Sequence, residues 1–309
     1  GKTTLSEGLM YKSGAIRKIG RVDNKDAHLD TNELERARGI TIFSSQAELK
    51  IDDLDITLLD TPGHVDFSAE MERTLRVLDY AILIISGADG VQGHTETLWK
   101  LLREYNVPVF IFVNKMDQNG TDKEKILEDI REKLTDSCVD FTDTDSEEFY
   151  ENIAMSDEHV MEDYLDNMTV SIEDIQGLIV ERKIFPCFFG SALRLTGIDE
   201  FMQGLYTYTL RPEYSKEFGA RVYKITREAD GTRLTHIKVT GGTLRVKTEL
   251  TGDTDGREWR EKINQIRLYS GDKYETVNEA CAGMVCALTG LNYTYCGEGF
   301  GYEYSDNQS

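Results

Sequence analysis

Proline is scarce in this chain, 4 in 309 residues, and so are tryptophan, 2, and cysteine, 5. With 39% hydrophobic residues present, so little proline excludes a fibrous or largely disordered protein. Long apolar runs are missing too. None approaches the roughly 20 residues of a membrane-spanning helix, so no membrane association is expected. The cysteines, Cys138, Cys187, Cys281, Cys286 and Cys296, are odd in number and none sits in a C-x-x-C pair. They support neither a disulfide framework nor a zinc site, and buried free thiols are expected. No signal-peptide pattern precedes the first strand-like segment, which suits a cytoplasmic protein, expected to be a monomer.

Positive charge is also in short supply. The chain carries 35 Lys+Arg against 56 Asp+Glu, a net charge of -21. Taken alone, that argues against a nucleic-acid partner, because phosphate binding needs clustered cations. The acidity is regional, however. Residues 213–309 hold 13 basic and 15 acidic side chains, whereas residues 121–174 alone hold 4 and 19. The excess acid reads as one solvated face.

A chain of this length suits two cores. Up to about residue 212, short apolar runs alternate with helical patterns, as a mostly parallel sheet with helices on both faces requires. Ile56–Leu59, Ala81–Ile85, Val109–Val113 and Phe185–Phe189 read as buried strands, and Thr95–Glu104 and Lys123–Leu134 as helices. After Arg211–Pro212 the texture becomes alternating strands, Ala220–Ile225, Leu234–Val239 and Lys262–Leu268, broken by Gly241–Gly242 and Ser270–Asp272. The expectation is an α/β domain over 1–212 and a small all-β barrel over 213–309.

Ligands of open α/β sheets sit at the carboxyl ends of the strands, and the motifs fall there. Gly1, Lys2, Thr3 and Thr4 match the tail of a phosphate-binding loop, in which backbone N–H groups and the Lys hold phosphate and the hydroxyl ligates Mg²⁺. Asp60–Thr61–Pro62–Gly63 follows an apolar strand, where Asp60 can hold Mg²⁺ through water and Gly63 can approach a γ-phosphate. A plain Pro-Gly turn is the alternative. Arg38–Ile42 follows a polar stretch, and Thr41 there can bind Mg²⁺ and γ-phosphate in a triphosphate state; an edge strand is the other reading.

Asn114–Lys115–Met116–Asp117 suits base selection. Asp117 can accept from guanine's ring N–H and exocyclic amine, Asn114 can bond the N7 edge, and the stem of Lys115 can lie along the base. Adenine would leave the carboxylate unpaired, a mismatch that such sites reject by roughly 10⁴–10⁵. A surface turn is the bland reading. Ser191 and Ala192, ending the fourth strand, are placed for a backbone N–H to meet the base's O6, though Ser-Ala after a strand is common. The order of these five signals along one α/β pattern is what carries weight.

Arg38–Ile42 and Asp60–Phe67 (DTPGHVDF) resemble the two switch motifs of translational GTPases. That resemblance implies a P-loop GTPase fold, GTP/GDP and Mg²⁺ as ligands, contacts of Lys2 and Thr3 with phosphate and Mg²⁺, closure by Thr41, sensing of the γ-phosphate by Gly63, and a water-positioning role for His64. It also implies the ribosome, rRNA and ribosomal proteins, as partner. Within the class, Ser13–Asp23, Gly87–Thr95 and Asn114–Gly120 are most similar to tetracycline ribosome-protection proteins, with elongation factor G next and peptide release factor three more distant. The 73 residues between Asp117 and Ser191 are too few for elongation factor G's usual extra subdomain and suit the protection-protein type. Residues 281–301 are similar to the close of domain two in both. A rival from another class is a ribosome- or protein-docking module without nucleotide turnover. An oligonucleotide-binding barrel is disfavoured by the near-neutral balance of residues 213–309.

Overall fold

A computed structural model of the chain describes residues 1–17, 45–61 and 68–304. The chain divides into two compact units. One comprises residues 1–27, 49–56 and 78–211, the other residues 28–48, 57–77 and 212–309. Segments early in the chain therefore group with the C-terminal strands.

In the first unit, helix α1 (Lys2–Lys12) is followed later by a four-stranded sheet built from β3 (Ala81–Ser86), β4 (Val109–Asn114), β5 (Cys138–Asp140) and β6 (Phe185–Phe189). Its order is β3-β4-β6-β5, with every pairing parallel. β4 is buried along its whole length, which explains its unbroken apolar sequence. The helices are α3 (Gly93–Glu104), α4 (Lys123–Lys133), α5 (Glu147–Ala154), α6 (Glu158–Asn167), α7 (Ile172–Val180) and α8 (Ile198–Tyr208). Four of them begin at a capping side chain: Asp122, Ser146, Asp157 and Ser171 each accept hydrogen bonds from first-turn N–H groups. α8 packs through aromatic contacts, with Phe201 5.0 Å from Phe112 and 5.2 Å from Phe188 between ring centroids. Gly204 makes this possible, since a Cβ there would lie 2.3 Å from the Phe188 ring. Arg211 closes the unit with a two-pronged ion pair to Asp53, at 3.0 and 2.9 Å.

The expected strand at Ile56–Leu59 forms, as β2 (Leu54–Asp60), but among the described residues it pairs only with β1 (Ser45–Ile51). Sequence pattern identifies an apolar strand without identifying its neighbour.

The second unit carries an antiparallel six-stranded sheet in the order β13-β12-β15-β8-β7-β16. Its strands are β7 (Gly219–Arg227), β8 (Arg233–Gly241), β12 (Gln265–Ser270), β13 (Lys273–Val277), β15 (Val285–Thr289) and β16 (Gly299–Gly301). Two smaller pairs complete it, β10 (Glu249–Thr254) with β11 (Arg257–Lys262) and β9 (Thr243–Arg245) with β14 (Glu279–Cys281). The strand expected at Lys262–Leu268 is in fact two, β11 ending at Lys262 and β12 starting at Gln265. Val222, Ile237, Ile266, Leu288, Trp259 and Phe300 share one core. Helix α2 (Ser68–Leu75) belongs to this unit, and just beyond it the Lys238 ammonium donates to the Val77 carbonyl at 2.9 Å.

All five cysteines are unbridged; Cys281 is exposed, contrary to the expectation of buried thiols, while Cys138, Cys187 and Cys286 are buried. No helix among the described residues is long and apolar enough to cross a membrane.

Among the described residues of this unit, Glu298 is the one charged residue with no exposed surface. Its Oε2 accepts from Tyr295 N at 3.2 Å, but its Oε1 is buried without a hydrogen-bond partner. Burial raises its carboxyl to about 7 from 4.5, against the pull of the Tyr295 N–H and the Arg233 guanidinium. A raised acid holds its proton in the folded state after the unfolded chain has lost it, so stability falls as pH climbs from 4.5 to about 7 and stays low above. Glu298→Gln is expected to raise the melting temperature at pH 8 and to have little effect near pH 4. Thermal melts at both values check the sign.

Candidate functional site

The parallel pairing of β4 with β6 puts the ends of both strands, and the loops after them, at one edge of the sheet. Beyond β4 the chain turns sharply, with Lys115 in the left-handed region at φ 64. Backbone bonds stitch the two loops together: Gly190 N donates to Val113 O at 3.0 Å and Met116 N to Gly190 O at 3.1 Å. Gly87 N, after β3, donates to Asn114 O at 2.7 Å. Gly190 is obligatory for the approach, and Gly87 eases it. A Cβ on Gly190 would fall 2.3 Å from Thr196 O, and one on Gly87 would fall 2.6 Å from Met116 Sδ.

The central contact is a side-chain bond. The Asn114 Oδ1 accepts from Ala192 N at 2.8 Å, in buried surroundings. This orients the amide, leaving its Nδ2 as the donor. Ser191 exchanges two backbone bonds with Thr196, at 3.0 and 3.1 Å, and its Oγ accepts from Arg194 N at 3.3 Å. Ser191 and Ala192 are consequently buried. Asp117 sits partly exposed, with the Arg194 guanidinium 3.7 Å away.

Helix α1 lies against the same loop. A Cβ on Gly8 would be 3.3 Å from Leu195 and 3.9 Å from Ala192 O, and Lys12 pairs with Asp199 at 2.9 Å. At the start of α1, a Cβ on Gly1 would lie 3.9 Å from Ile84 and 4.0 Å from Asn114 Nδ2. The helix has a glycine at its N-cap and no acidic residue in its first turn, and its positive end is set toward this edge. Lys2, Thr3 and Thr4 occupy that first turn, with Thr3 buried.

The structure thus brings Gly1, the first turn of α1, Asn114, Lys115, Asp117, Ser191 and Ala192 to one edge of one sheet. Asp60 ends β2, buried, in the second unit. Thr41, Gly63 and His64 lie outside the described residues. Sequence reading gave Asn114 a ligand-facing role and missed its loop-bridging one, as it missed the close approaches of Gly87 and Gly190. A glycine directly after each of two buried strands was the available signal.

Residues 1–211 match the family described as elongation factor Tu GTP binding domain, and residues 217–301 match elongation factor G domain 2. The chain belongs to the translational GTPases, with a P-loop GTPase domain followed by an antiparallel β domain. Tetracycline resistance protein TetS of Listeria monocytogenes is 33% identical over 290 residues, covering 87% of this chain and 44% of its own. Tetracycline resistance protein TetP of Clostridium perfringens is 33% identical, covering 97% of this chain and 50% of its own. A crystal structure from Thermus thermophilus matches with a TM-score of 0.85 at 22% identity, over 97% of this chain and 52% of that one, a likeness of fold. The chain spans about half the length of the curated relatives it matches.

Removal of the bridging acceptor tests the loop architecture. Asn114→Ala leaves the buried Ala192 N–H without a partner, an expected loss of about 1–3 kcal/mol. Asn114→Asp keeps an acceptor and should lose less. Urea denaturation gives the energies, and amide hydrogen exchange at Ala192 should quicken in the alanine variant alone.

Proposed function

We propose that the chain is the guanine-nucleotide-binding part of a ribosome-associated GTPase of the tetracycline ribosome-protection type, with a GTPase domain through residue 212 and a barrel domain from residue 213. The observation that carries this reading is the Asn114–Ala192 bond, which ties the two base-recognition loops together and fixes the polarity of the Asn114 amide. With Oδ1 engaged, Nδ2 donates, and guanine N7 is an acceptor. The Asp117 carboxylate only accepts, and guanine's Watson–Crick edge offers it two donors side by side. The stem of Lys115 lies along the base, whereas the N–H groups of Ser191 and Ala192 already donate to Thr196 O at 3.0 Å and to Asn114 Oδ1 at 2.8 Å, so the expected contact of this backbone with O6 is not assigned. Phosphate goes to the first turn of α1, where Gly1, Lys2, Thr3 and Thr4 supply N–H groups, an ammonium and hydroxyls.

Hydroxyl and carboxylate oxygens are the donors that Mg²⁺ prefers, and the resemblance to translational GTPases assigns the Thr3 hydroxyl, Thr41 and Asp60 to that ion. When bound, the ion neutralises charge on the phosphates. Gly63 reports the γ-phosphate through its backbone, and His64 orients the attacking water once the ribosome positions it. The protein does little covalent chemistry; positioning and electrostatics account for the acceleration, so turnover away from the ribosome is slow. The resemblance to tetracycline resistance proteins supports the ribosome as partner.

Two variants of the full-length protein test this. Asp117→Asn replaces an acceptor by an amide that presents a donor, so GDP affinity should fall by roughly 10²–10⁴ while xanthosine diphosphate, with a carbonyl in place of guanine's amine, gains. Competition binding with labelled GDP checks it, and unchanged GDP affinity would exclude Asp117 from the base site. His64→Ala should lower ribosome-stimulated hydrolysis by roughly 10²-fold or more and spare nucleotide affinity. Equal single-turnover rates would remove His64 from the mechanism.

A further inference from the structure

Residues 134–181 contain 15 Asp+Glu and no Lys or Arg. Within that stretch lie Met155, Leu165, Met168 and Ile172, exposed by 69%, 67%, 50% and 48%. Isolated exposed apolar residues are ordinary, but these are large side chains gathered around one helix, α6. Val160 and Tyr164 are the face that α6 buries. Met161, half-buried, and the exposed Leu165 form a second apolar row beside it, and Met168, the left-handed C-cap at φ 57, is exposed just past the end of the helix. Glu158, Glu162 and Asp166, spaced by four, form an acidic row next to that one.

The acidic row does not serve the helix. Asp157 caps the N-terminus and Glu158 suits the dipole there, but Asp163 and Asp166 fall in the last turn, where negative charge opposes it. None of α5, α6 and α7 has a basic residue in its last turn. Among the described residues, Glu158, Glu162 and Asp166 make no ion pair, while Asp157 pairs with Lys183 at 2.6 Å.

We propose that the outward face of α6 is a docking surface for a basic protein, whose Lys and Arg side chains meet the acidic row and whose apolar side chains cover Leu165 and Met168. This rests on the ribosome-associated reading and identifies the partner as a Lys- and Arg-rich ribosomal protein. Phosphate backbones, anionic lipid and a second copy of this chain all present the wrong sign of charge to this face.

A photoreactive benzoylphenylalanine in place of Leu165 in the full-length protein, irradiated on purified ribosomes with a non-hydrolysable GTP analogue, should give an adduct with a basic ribosomal protein. Glu158→Lys, Glu162→Lys and Asp166→Lys combined should weaken ribosome binding by about tenfold or more at low salt, with GDP affinity unchanged as the check on folding. Leu165→Ser with Met168→Ser should weaken it without altering the salt slope. An adduct with rRNA or with another copy, or ribosome affinity untouched by charge reversal, would overturn the docking surface. If the unsubstituted protein binds GDP and ribosomes yet yields no adduct from position 165, the docking surface alone fails. If it binds no ribosome, the functional reading fails with it.

Discussion

The hydrogen bond from Ala192 N to the Asn114 side chain depends on a single property of the sheet, that β4 and β6 run parallel and end together. In an antiparallel pair the two loops would leave at opposite edges and no side chain would span them. Parallel pairing brings two chain segments 78 residues apart to within one amide's reach. Once there, each loop solves the other's problem of unsatisfied backbone. Gly190 uses both its N–H and its carbonyl across the gap, and Asn114 uses its carbonyl toward Gly87 and its side chain toward Ala192. The loops are thereby held by the chain's own hydrogen bonds, which reduces the ordering that binding would otherwise require.

Much of this was legible in sequence, and for a physical reason. β4 is buried on both faces, so Val109–Val113 had to be a continuous apolar run, and its polar ending at Asn114 marked where the chain left the core. β3 and β6 were visible in the same way. Pairing was not visible. Ile56–Leu59 has the composition of a sheet strand, yet its neighbour is β1, because an apolar run specifies burial and not the strand that covers it. Helices α5 and α6 were hidden by their acidity, since dense Asp and Glu read as solvated loop until the capping residues Ser146 and Asp157 are seen at their starts. The acceptor role of Asn114 was also out of reach, because it depends on which backbone N–H arrives from residue 192.

The β domain shows how a residue that departs from the pattern is accommodated. Glu298 belongs to a surface-type residue class yet lies buried between Gly252 and the Tyr295 turn, and a Cβ on Gly252 would come within 2.4 Å of its Oε1. Space is made for the carboxyl by a glycine, and burial delays its charge from the ordinary 4.5 to about 7. His236 is handled likewise: burial, with Lys224 nearby, lowers it to about 3, so it stays neutral and its ring nitrogen can bond Thr226 at 2.8 Å.

At the proposed base site the electrostatic problem is the reverse, because Asp117 must be charged to recognise guanine but must not hold a partner too firmly. Arg194 suits the second need. At 3.7 Å and with its side chain 70% exposed, it forms a loose pair in high-dielectric surroundings, where such contacts contribute about 0–1 kcal/mol. Guanine offers two donors in the plane of the carboxylate, a stronger set of charge-assisted bonds, and displacing the guanidinium into water costs little. A buried, bidentate Arg would have turned the same residue into a structural ion pair and closed the position to a ligand. The exposure of Arg194 is therefore part of what keeps Asp117 available.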